Sequence, residues 1–85
     1  SPAYMTCLKM ESVVESLAIA YSGRVLVAKM DLSIAANQPL GQRYEAVTVP
    51  AFRFFRNGVE RESERCGGTQ TREALAVAID RLLEE

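Results

Sequence analysis

The chain has 85 residues, 48% of them apolar and 25% charged, and its ten basic and eleven acidic side chains leave a net charge of −1. That length holds one domain with one small core, the composition excludes intrinsic disorder, and the near-neutral charge leaves no electrostatic footprint for nucleic acid or an anionic membrane. The absence of histidine removes the usual general base and the Ser-His and Cys-His nucleophile pairs, and two cysteines without histidine make no typical zinc site. Neither a metal nor a cofactor is expected. The apolar runs are far shorter than the roughly 20 residues a bilayer requires. No charged-then-apolar signal segment opens the chain, so a cytoplasmic protein is expected.

Apolar residues at Cys7, Met10, Val13, Val14, Leu17, Ala18 and Tyr21 follow the three-and-four spacing of one helical face, with Lys9, Glu11, Ser12, Glu15 and Ser22 opposite. The pattern predicts a helix over residues 6–21, stopped by Gly23. Next comes Arg24-Val25-Leu26-Val27-Ala28-Lys29-Met30-Asp31-Leu32, a β-branched, nearly continuous apolar run that reads as a buried strand. Lys29 inside it is either a snorkelling side chain or the partner of a buried acid.

Residues 33–38 read as a loop, with Asn37 as N-cap and Pro39 in the first turn of a short helix through Tyr44 whose inner face is Leu40 and Tyr44. Val47-Thr48-Val49-Pro50 leads into a strand carrying Phe52, Phe54 and Phe55, which are expected in the core, and Asn57-Gly58 is a strong hairpin signal. The return strand, residues 59–66, carries Glu60, Arg61, Glu62, Glu64 and Arg65 and suits a solvated edge. After Gly67-Gly68, Thr69 or Thr71 caps a last helix with Leu75, Ala78, Ile79, Leu82 and Leu83 on its inner stripe. The predicted order is helix, strand, helix, strand, strand, helix. The first strand is expected to pair in parallel through a crossover and the last two as a hairpin.

These residues carry a family likeness. Cys7 at the mouth of a helix, Tyr21-Ser22-Gly23 at its end, Val27-Ala28-Lys29 and Asp31 resemble thioredoxin from its active-site helix onward. Gln42-Arg43-Tyr44, Val49-Pro50, Phe54-Phe55-Arg56-Asn57-Gly58, the glycine at Gly67 or Gly68 and the final helix continue the resemblance over nearly the whole chain. It implies an α/β thioredoxin-like fold, three layers α/β/α around a mixed sheet, in a single domain over residues 1–85.

By the same resemblance Cys7 matches the second cysteine of the Trp-Cys-Gly-Pro-Cys motif, the resolving position, and Ala3, Tyr4, Met5 and Thr6 stand where Trp, the first Cys, Gly and Pro would be. Tyr4 therefore replaces the nucleophile. Pro50 matches the family's cis-proline, and Lys29 the lysine that pairs with a buried acid. The family's central strand, which leads into the active site, has no counterpart here. The sequence thus reads as a fragment, as lacking an upstream segment, or as a fold rearranged or completed by a second chain.

Cys7 is either a small buried packing residue or a redox group, and Cys66 is either inert or, if turned inward, close enough to approach Cys7. Val49-Pro50 reads equally as a peptide contact or a structural turn. Two functions follow. One is a domain without dithiol exchange that binds protein or extended peptide segments through Tyr4, Val49, Pro50, Gly67 and Gly68, or serves a structural role. The other is an atypical thiol-disulfide oxidoreductase in cell redox homeostasis, acting through Cys7.

Overall fold

The computed structural model describes residues 2–85, with side chains from Tyr4 onward. Ser1 and the side chain of Ala3, the position matched to the family's tryptophan, lie outside the described residues. Helix α1 spans Pro2–Ala20 and therefore begins four residues before the predicted start. Tyr4, Met5 and Thr6 are helical rather than looped. Proline is tolerated in a first turn, where its missing N–H would have no intrahelical partner, and Met5 is a good helix former. The helix ends in a turn, and Gly23 takes the left-handed conformation at φ +84°.

Helix α3 (Arg72–Leu83) packs against α1, and the two supply the core. Met10, Leu17 and Tyr21 meet Leu75 and Ile79, and Val13, Val25, Phe52, Phe54 and Cys66 pack around them. The Tyr21 hydroxyl donates to Asp80 Oδ1 at 2.6 Å and joins the helices at their far ends. That hydrogen bond to a carboxylate is the main reason the phenol's pKa lies above its ordinary value. Thr71 is the N-cap of α3, its Oγ1 accepting from Ala74 N at 3.0 Å, so of the two threonines it is the later one that caps.

The extended layer departs from expectation. Residues 25–31 form no strand, and among the described residues the backbone groups of 26–30 make no hydrogen bond. Leu26 is 92% exposed, so the predicted buried strand and its parallel pairing are corrected. The physical reason is that a strand is a pairing relationship: without a neighbour about 4.8 Å away its N–H and C=O groups turn to water. The other strands are occupied with one another, β1 (Ala51–Phe52) with β4 (Cys66–Gly67) and β2 (Phe55–Arg56) with β3 (Val59–Glu60), both antiparallel. Lys29 is accordingly neither snorkelling nor paired with a buried acid. Its Nζ lies 3.2 Å from Glu11 Oε1, an ion pair between two well-exposed side chains.

The second half contains smaller corrections. Helix α2 (Gln38–Arg43) follows a 3-10 turn over Ala35–Asn37; Asn37 is its N-cap residue as expected, but its side chain makes no cap bond and its Nδ2 instead donates to Asp31 O. Leu40 faces solvent. The inner residue is Gly41, which is buried, and a Cβ there would stand 3.0 Å from Leu32 Cδ2. Asn57 and Gly58 make the hairpin turn with positive φ, 51° and 78°.

The return strand does not run through to residue 66, because Glu62–Glu64 form a 3-10 turn. That turn brings Arg65 back onto Glu60, Nε to Oε2 at 2.6 Å and Nη2 to Oε1 at 2.7 Å, a bidentate pair that a straight strand would hold roughly 16 Å apart. Glu60 is largely buried beneath it, so the edge is not simply solvated. Phe52 and Phe54 pack on the core as expected, whereas Phe55 is partly exposed and meets Tyr44 edge to face, ring centres 5.2 Å apart.

Candidate functional site

The loop before β1 carries Val49 and Pro50, two of the five residues expected to contact peptide. The Val49–Pro50 peptide bond is cis. Pro50 O accepts from Gly68 N at 2.9 Å, and a Cβ on Gly67 would lie 3.0 Å from that same oxygen, so a side chain at 67 would press on this close approach of two backbones. Pro50, Gly67 and Gly68 are therefore one cluster. Val49 beside them is 44% exposed, and among the described residues the backbones of Thr48 and Val49 make no hydrogen bond.

What holds this loop is Arg53, a residue the sequence reading did not single out. Its Nε donates to Tyr44 O at 2.8 Å and its terminal nitrogens to the carbonyls of Glu45, Phe52 and Cys66, which ties the end of α2 to the β1–β4 ladder. Arg65, already paired with Glu60, also bonds Glu45. The hydrogen bond from Arg65 holds the Glu60 carboxyl below its usual range.

On the other side stands the start of α1. Tyr4, Met5 and Leu8 are exposed, off the buried stripe, while Thr6 and Cys7 are half-buried. Met5, Thr6, Leu8 and Lys9 line one wall of an open groove of about 510 Å³, and Thr69, next to Gly68, lines the other. The walls are tied together, since Gln70 N donates to Met10 Sδ at 3.4 Å and Gln70 Nε2 to Gly67 O at 2.7 Å. Met5, Leu8, Lys9 and Thr69 were not foreseen as site residues. Their signal was present in Tyr4, Met5 and Leu8, three large apolar side chains outside the core stripe.

Cys7 and Cys66 are both free thiols, each half-buried. Cys66 is turned toward the core, where burial pushes its thiol pKa up against the opposing pull of Arg53, and Glu64 adds to the rise. Less thiolate at neutral pH makes it a poor nucleophile. Tyr4 brings a phenol to the place matched to the attacking cysteine. Among the described residues no cluster of His, Cys, Asp or Glu could hold a metal ion, and no helix is long and apolar enough to cross a membrane.

A protein-family model, Thioredoxin, matches residues 4–81. The chain belongs to the thioredoxin family. No curated protein matches it. Family membership accounts for the α/β class of the fold. The match spans Tyr4 and Cys7 at one end and most of α3 at the other.

Proposed function

We propose that this thioredoxin-family domain binds extended peptide segments along the edge at Val49, between the start of α1 and the Gly67-Gly68 turn, and does not run a dithiol cycle. The observation that carries the proposal is that Thr48 and Val49 are exposed residues whose backbones, among the described residues, make no hydrogen bond, beside the Pro50–Gly68 hydrogen bond. An extended peptide adds to such an edge by main-chain hydrogen bonds, and exposed side chains around it set its preference. Tyr4, Val49, Pro50, Gly67 and Gly68 are the contacting residues in this reading. Dithiol exchange requires an attacking thiolate and a second thiol to resolve the mixed disulfide. Tyr4 supplies neither, and Cys7 occupies the resolving position.

Two measurements test it. On an array of short random peptides the protein is expected to bind a subset, and Val49→Asp to weaken that binding several-fold. With dithiothreitol as reductant, insulin should precipitate no faster in its presence than in its absence. Acceleration of insulin reduction that disappears in Cys7→Ser would overturn the proposal in favour of a thiol-disulfide oxidoreductase acting through Cys7.

A further inference from the structure

From the groove beside α1 we infer the kind of peptide this surface selects: an extended segment carrying a large apolar residue and, close to it on the same side, an aspartate or glutamate. The inference rests on the peptide-binding reading above. Met5 and Leu8, three residues apart on one helical surface, are 63% and 44% exposed and form the apolar part of the α1 wall. Lys9, one turn on from Met5, adds a cation to the same wall, and Thr69 closes the opposite side.

The charge is uncompensated. Lys9 enters no ion pair among the described residues, no carboxylate lines the groove, and the first turn of α1 holds no acidic residue. The closest acid in sequence, Glu11, is taken by Lys29 at 3.2 Å. An acidic side chain laid along this wall would therefore meet a lysine with no competing partner, while an apolar side chain covers Met5 and Leu8. The groove is also in place before a ligand arrives, because Gln70 ties the Thr69 turn to Met10 of α1 and to Gly67. A preformed wall spares the ordering cost that a mobile one would add on binding. Through Gly68 the same turn is bonded to Pro50, the neighbour of Val49.

The test uses the random peptide array, read by position. Bound peptides are expected to be enriched about threefold in Asp or Glu near a large apolar residue, the order of effect one exposed ion pair provides. Lys9→Glu, a change at an exposed position, should abolish that enrichment and turn it toward Lys and Arg. Far-ultraviolet circular dichroism is expected to match that of the unsubstituted protein. For one selected peptide, affinity should fall as sodium chloride rises, and lose that dependence in Lys9→Glu. Binding without an acidic preference, or an acidic preference that survives Lys9→Glu, would overturn the inference and leave peptide binding standing. Absence of peptide binding altogether would overturn both.

Discussion

Two apolar stretches of similar composition meet opposite fates in this molecule. The stripe of α1 (Met10, Val13, Leu17, Tyr21) lies against α3, with Met10 only 2% exposed, whereas the run at 25–31 is left largely in water. The difference is not hydrophobicity. A helix satisfies its own backbone and needs a neighbour only for its side chains, so α1 and α3 complete one another across a single interface. An extended segment must find a neighbour for its backbone as well, and β1 to β4 are already paired among themselves. The lesson extends to the candidate site, where the Thr48-Val49 backbone is open in the same way but beside an ordered glycine turn.

The largest effect that would sharpen this contrast is Leu17→Ala, which should cost about 2–5 kcal/mol of unfolding free energy in urea titrations, the usual penalty for a cavity at a buried leucine. A loss under 1 kcal/mol would mean that the α1–α3 contact is not the core it resembles. Removing the cap with Thr71→Ala should cost about 1 kcal/mol, read in the same titration, because Ala74 N loses its acceptor at the mouth of α3.

A pH effect follows from Glu60. Its folded carboxyl titrates below the unfolded value of about 4.3, so the stability it contributes is complete above that pH and drains away as pH falls through the lowered folded value. Glu60→Gln should flatten this acid limb in thermal melts taken from neutral pH downward, and an unchanged limb would break the assignment. The smallest effect belongs to the open run: Leu26→Ser should change stability by no more than about 0.5 kcal/mol. The amides of residues 26–30 should exchange with deuterium far faster than those of α1 and α3. Slow exchange there would show that the segment has found a partner in solution.

Much of this was legible beforehand, and for a common reason. The α1 stripe, the Gly23 stop, the Asn57-Gly58 turn and the α3 stripe each depend on residues a few positions apart, so the sequence contains both members of every interaction. Glu60 and Arg65 show where that reach ends. Their charges can be read and suit a solvated edge, but the 3-10 turn that folds one onto the other cannot be read. Arg53 likewise gave no sign that it would gather four carbonyls from the end of α2, β1 and β4, since those partners lie eight to thirteen residues away except for Phe52 itself.

By itself, then, the sequence determined the family, the two packing helices and the hairpin turn. Only the tertiary structure decided that residues 25–31 form no strand, that α1 starts early enough to place Met5, Leu8 and Lys9 along a groove, and that Cys66 turns inward. Each of these depends on which distant backbone or side chain arrives alongside, and such meetings are set by the packing of the whole chain rather than by any local pattern within it.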